Sequence, residues 1–245
     1  MIGRIWPIAL GVVTDSLRRK VVYVVVVFAG LLAFAIPSLP DYGLGVESAV
    51  FREVALALAY VTALVITLSL AANRIPGEVE RRTVYNVVAK GVSRWEYFVG
   101  TWLGIFLVAG GVMAAFTLIE QAIGYLTYGE LMWQLWQGAL AIWLEMGVAA
   151  ALAVAVSALA GPVVVVTATL AVTFIGHSRS TLLGGEGALA LQPFVPSLDA
   201  FNVVNPVAHG SGVPPLYLLS MLVVFLGLTG LALAVGGFVF SRKDL

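Results

Sequence analysis

Three ionisable side chains stand inside otherwise apolar runs: Glu120, Glu145 and His177. Such groups are rare in membrane-spanning stretches and mark substrate paths, proton relays or interhelical hydrogen bonds. Glu145 falls about a third of the way into an apolar run, Glu120 near the end of another, and His177 closes a third. They cluster towards one half of the molecule. Two readings stand open. The three line a translocation path or gate, or they hold helices together, with Glu145 protonated or partnered. The spacing does not support a metal site, and none is expected. His209-Gly210-Ser211-Gly212 puts a histidine two residues from a serine in a Gly-rich loop, but a nucleophile also needs a positioned base and an oxyanion hole. This stretch reads as a turn, and no catalytic residue is assigned. No G-x-x-x-x-G-K-[ST] loop is present, so the chain has no phosphate cradle of its own.

The elements that position these groups follow from composition. Of 245 residues, 61% are hydrophobic and 11% charged, and mean hydropathy is +1.03. Soluble domains carry about 25% charged residues. A soluble core of this size could not cover so much apolar surface, so an integral membrane protein is expected. Cysteine is absent, which excludes thiolate chemistry. The expected class is all-α, one polytopic domain over residues 1–245. A spanning helix needs roughly 20 apolar residues, and six runs qualify: about 18–36, 54–72, 97–119, 138–160, 162–177 and 216–240. Gly161-Pro162 separates the fourth from the fifth as in a helical hairpin.

Eleven of the thirteen Lys and Arg residues fall on one side of six spans; Arg52 and Arg179 fall opposite. The positive-inside rule then puts both termini in the cytoplasm. No cleavable signal peptide is expected. Residues 2–20 read as an amphipathic interfacial helix, with Ile5, Ile8, Ala9 and Val12 on one face and Arg4, Gly11, Asp15 and Arg18 on the other. Trp95, Tyr97 and Trp102 are expected at the inner membrane face, and Tyr125, Tyr128, Trp133 and Trp136 at the outer. The segment 178–215, with five of the ten prolines, is expected to form a short outer helix or a re-entrant cap.

The loop 73–96 carries Arg74, Glu78, Glu80, Arg81, Arg82, Lys90, Arg94 and Glu96. Pro76-Gly77 is expected to break the second span. Glu78 and Glu80 would then open a new helix, where its dipole favours acids. Thr83, Val84, Tyr85, Val87 and Val88 would lay that helix along the cytoplasmic face. Solvated charge or a docking surface are both open; the mixed signs favour docking. Small residues recur at packing spacing: Gly100 and Gly104 in the third span, and Ala149, Ala153, Ser157 and Gly161 down the fourth. Packing within the chain and contact with a second copy are both open for them.

The stretch Gly77-Glu-Val-Glu-Arg-Arg-Thr-Val-Tyr, with Lys90, Val92-Ser-Arg-Trp-Glu-Tyr, Gly100 and Gly104, resembles the first cytoplasmic loop of ABC-2 type transporter permeases. It is similar to the branch linked with multicopper-enzyme maturation, which includes nitrous-oxide-reductase maturation permeases. Gly91 stands where Pro is usual and Thr101 where Lys is usual. Pro196–Asn202 and Phe240–Leu245 also resemble parts of the family. The resemblance implies a permease subunit, an exporter, working as a pair with a second copy or a paralogue, in a bacterial or archaeal cytoplasmic membrane. A separate ATPase subunit would carry ATP and Mg, and this chain would bind no cofactor and no nucleic acid. Glu78, Glu80, Arg81, Arg82, Thr83, Tyr85, Lys90 and Arg94 would form the coupling helix that docks on the ATPase. The alternatives are a non-transporting membrane assembly factor or anchor for a respiratory or metalloenzyme complex, and an ion-coupled transporter built around Glu145. Lipids, peptides, hydrophobic drugs and sulfur species all suit the apolar interior.

Overall fold

The computed structural model describes residues 2–18, 21–35, 46–80, 92–182 and 195–242. Among them every regular element is a helix. The helices are α1 (Ile2–Arg18), α2 (Val21–Ala35), α3 (Glu47–Glu80), α4 (Arg94–Tyr128), α5 (Gln134–Ser157), α6 (Pro162–His177), the four-residue α7 (Arg179–Leu182), α8 (Val204–Ala208) and α9 (Pro215–Arg242); a 3-10 turn spans Leu198–Phe201. Four of them, α3, α4, α5 and α9, are long and apolar enough to cross a membrane. The other two apolar runs form α2 and α6, of 15 and 16 residues. At 1.5 Å per residue these are about 22–24 Å long, short of a hydrocarbon core of about 30 Å.

Helix α5 is the centre of the bundle. Its most apolar 18-residue window is 72% buried, against 28% for α9 at the periphery. Its small residues are the reason: Ala149, Ala153 and Ser157 are all buried against neighbouring helices, and Gly147 lies where a Cβ would meet Phe225 and Phe106. Lipid is as apolar as leucine, so close approach and dispersion, not exclusion from water, hold such helices together. A run of near-parallel rings fills the resulting space. Phe106 stacks on Trp102 at 5.5 Å, on Trp143 at 4.6 Å and on Phe225 at 5.3 Å. The two indoles also join the helices, Trp102 donating to the Gly147 carbonyl and Trp143 to that of Phe106, each at 2.9 Å. Trp102 and the buried Tyr97, which stacks on Phe240, therefore pack within the bundle. Trp95, Tyr125, Trp133 and Trp136 are exposed.

Helix α1 is amphipathic as expected, and its Ile8–Ala9–Val12 face lies on α4. A Cβ on Gly100 would come 2.9 Å from Ile8 Cβ, and one on Gly104 2.5 Å from Val12 Cβ. The Gly100–Gly104 ridge is thus filled by the chain's own first helix. Gly161 faces open space and serves as N-cap of α6, with Pro162 in its first turn, as the hairpin reading requires.

The expected break at Pro76-Gly77 does not occur. Helix α3 runs through it to Glu80, so Glu78 and Glu80 lie in its last turn and do not open a new helix. Proline removes one rung of the ladder, but Ala71, Ala72 and Ile75 are buried in the adjoining core, and tertiary packing overrides a local breaker. Of the residues expected to form a coupling helix, Arg81, Arg82, Thr83, Tyr85 and Lys90 lie outside the described residues. Helix α4 starts sharply. Ser93 accepts from the Glu96 N–H at 3.1 Å while Glu96 accepts from the Ser93 N–H at 2.9 Å, a reciprocal capping box. It ends at Gly129, whose φ of 72° is left-handed and suits glycine.

Candidate functional site

Three helices bring polar side chains to one point. Tyr60 comes from α3, Glu145 from the middle of α5 and His177 from the last turn of α6. The Tyr60 hydroxyl donates to Glu145 Oε1 at 2.9 Å. His177 Nε2 lies 2.6 Å from the same oxygen and 3.2 Å from the Tyr60 oxygen. With the hydrogen on Nε2, Oε1 accepts from both partners. The Glu145 side chain is 3% exposed and that of His177 26%, so the imidazole is the more accessible of the two. A carboxylate in so apolar a place is costly unless partnered, and here both partners come from other helices.

The structure thus unites two of the three ionisable residues picked out in the sequence and adds Tyr60. Glu120 is not bonded to them. It is fully buried, and neither carboxyl oxygen has a hydrogen-bond partner. It sits on the face of α4 between Phe116, stacked on Phe28 of α2 at 3.8 Å, and Gly124, where a Cβ would meet Met132 and Phe51. Its neighbour Gln121 clasps the α4–α5 turn, bonding both the N–H and the carbonyl of Met132. Among the described residues no group of three or more His, Asp or Glu side chains could hold a metal.

A cap covers this end of the bundle. Residues 195–214 form the 3-10 turn and α8, and side chains of the bundle hold its backbone. Gln137 bonds both polar groups of Val213, at 2.7 and 3.2 Å, Gln134 donates to Gly210, and Arg52 donates to Ala208 at 3.0 Å. Gly210 and Gly212 take left-handed φ values of 74° and 67°, which glycine allows. The segment 178–215, expected to form a short outer helix or a re-entrant cap, contains the five-residue α8. The cap reaches the polar triad at Gly176, where a Cβ would meet the Leu198 side chain at 2.8 Å and the Pro196 carbonyl at 3.1 Å.

At the opposite end, Arg74 Nη1 pairs with Asp15 Oδ2 at 2.7 Å, tying α1 to α3. Arg94 donates to the Ser241 carbonyl at 3.2 Å, tying α4 to α9. Midway, an open apolar cleft of about 470 Å³ lies between α4 and α5, lined by Gly110, Gly111, Met113, Trp136, Ala139 and Trp143 among others.

Tyr60, Arg52, Gln134 and Gln137 were not legible as site residues. Tyrosine in an apolar span looks like any other aromatic, and partners 85 and 117 positions away leave no local spacing signal. No family model matches the chain, and no curated protein matches it. What stands, among the described residues, is an all-helical structure with four membrane-length apolar helices, a polar triad beside a cap at one end and the Arg74–Asp15 ion pair at the other.

Proposed function

We propose that this chain is the transmembrane permease subunit of an ATP-binding-cassette transporter, an exporter that works with a separate ATPase subunit carrying ATP and Mg. The observation that carries the reading is the end of the bundle where α3 leaves and α4 begins. Helix α3 continues to Glu80, and α4 starts at the Ser93 capping box. The segment between them holds Arg81, Arg82 and Lys90 of the motif that resembles an ABC-2 coupling loop. The Arg74–Asp15 and Arg94–Ser241 contacts anchor that segment's flanks to α1 and α9. A push on the loop would reach four helices at once.

In this reading that end faces the cytoplasm of a bacterial or archaeal cell, with both termini there. Six helices cross in this reading, the shorter α2 and α6 among them. Exposed Val26, Leu31 and Phe34 on α2, and Val163, Leu170 and Phe174 on α6, support contact with lipid. A second permease subunit, a copy or a paralogue, would meet surfaces other than the Gly100–Gly104 ridge. The cleft beside Trp143 suits an apolar cargo.

The test is affinity purification of the chain from its native membrane in mild detergent, with mass spectrometry of what accompanies it. An ATPase with a phosphate-binding loop near equal stoichiometry, lost when Arg81 and Arg82 are changed to Glu, is the expected result. Respiratory or metalloenzyme subunits without an ATPase would overturn it in favour of an assembly factor.

A further inference from the structure

We propose that Tyr60, Glu145 and His177 form a proton-binding site that latches the cap to the bundle. The inference goes beyond the permease reading and does not rest on it.

The geometry supplies what such a site needs. One carboxylate oxygen, sunk in the core, faces one imidazole nitrogen at 2.6 Å, and the Tyr60 hydroxyl braces the same oxygen. Among the described residues, the one basic side chain that pairs with Glu145 is His177, the side chain whose charge changes most readily near neutral pH. A structural pair would do as well with arginine, which never lets its proton go. The imidazole is partly exposed at the cap end, so a proton exchanges with water there while the carboxylate stays dry.

The cap feels this proton. His177 is the last residue of α6, and its neighbour Gly176 touches Pro196 and Leu198. Among the described residues, Glu145 from α5 and Tyr60 from α3 lie within hydrogen-bond distance of the imidazole, and Asp199 from the 3-10 turn of the cap acts on its charge without pairing with it; Arg179 follows two residues on in the chain. With the proton bound, the imidazolium is paired with Glu145 inside, and the Asp199 carboxylate on the cap favours its charge from beyond ion-pair distance. When it leaves to water, His177 is neutral and donates to Glu145 through its N–H alone. The attraction to Asp199 is gone, and the cap is held at the end of α6 by the packing of Gly176 against Pro196 and Leu198 alone. Linkage is reciprocal, so removing the Asp199 charge must in turn change how tightly His177 holds its proton.

The chain has two histidines, which makes the test direct. The full-length chain in lipid nanodiscs, with no partner, is labelled with 15N-histidine and followed by NMR from pH 4 to 9. His209→Gln assigns the two signals. The His177 midpoint is expected to move at least tenfold in proton concentration in Glu145→Gln and at least threefold in Asp199→Asn, while His209 stays put. Tyr60→Phe, which removes a single oxygen, serves where Glu145→Gln does not fold, and is expected to move the midpoint at least threefold. A His177 signal that does not titrate, or one whose midpoint stays within twofold in both Asp199→Asn and Tyr60→Phe, would overturn the site. Neither result depends on the presence of an ATPase.

Discussion

Gly104 of α4 lies against Val12 of α1 so closely that a Cβ there would stand 2.5 Å from Val12 Cβ and 2.8 Å from the Ala9 carbonyl oxygen. Two helices almost a hundred residues apart meet backbone to backbone at this point. The fit is one-sided: Gly111, on the same helix, has nothing within 4 Å.

Gly104→Val should therefore push α1 off α4. Overpacking typically costs about 1–3 kcal/mol, which thermal unfolding in detergent will read as a lower midpoint, with α1 newly open to protease. Gly111→Ala should do the reverse, gaining about 0.5–1 kcal/mol from lost unfolded-state freedom. Equal effects of the two changes would contradict the α1 seat.

The Arg74–Asp15 pair is short but partly exposed, at 21% and 37%. Exposed pairs contribute about 1 kcal/mol at most, so Asp15→Asn should barely alter stability. Asp15→Arg sets two cations together and should loosen α1. Adding Arg74→Asp should restore it. Protease accessibility of residues 2–18, compared across the single and double variants, measures the coupling.

Glu120 is the group the packing accommodates worst. Both of its oxygens are buried without a partner, an arrangement that costs roughly 1–3 kcal/mol for an unpaired polar group. Glu120→Met keeps the volume and removes the cost, so the unfolding midpoint should rise. A rise together with lost transport in reconstituted vesicles would give Glu120 a place on the cargo path. A fall in the midpoint would mean that the carboxyl stabilises the fold as it stands.

Gln137 holds the cap by bonding both polar groups of Val213. Gln137→Leu leaves that N–H and carbonyl unmet, at about 1–3 kcal/mol each where water cannot reach them. Hydrogen exchange of residues 203–214 should quicken by tenfold or more, with α4 and α5 unaffected. Uniform exchange across the bundle would show global loosening instead.

The long helices were legible because an apolar run of membrane length has little use outside a bilayer: four of the six expected spans fall on helices of that length, and the other two on the shorter α2 and α6. The ends were not. Helix α3 extends beyond its expected 54–72 core in both directions, since hydropathy reports the lipid-facing stretch and not where the hydrogen-bond ladder stops. Pro76-Gly77 misled because a local rule was weighed without Ile75, whose burial belongs to tertiary packing. The Ser93-x-x-Glu96 box could have been read directly from its spacing. Glu145 and His177 stood out because charge is scarce in apolar runs. Depth alone grouped Glu120 with them, whereas the helix face it occupies separates it. Tyr60 became visible only when α3 and α5 were placed side by side.

Tyr60 and Arg74 lie on one unbroken helix, about 21 Å apart along its axis. One belongs to the triad beneath the cap, the other to the ion pair at the far end. The stretch between them contains neither glycine nor proline, so it has no built-in hinge and behaves as a stiff strut. A tilt of about 5° about the midpoint of a helix some 50 Å long moves each tip by about 2 Å in opposite directions. Displacement at one surface is thus inverted and delivered at the other, with no need for a chain of side-chain rearrangements between them.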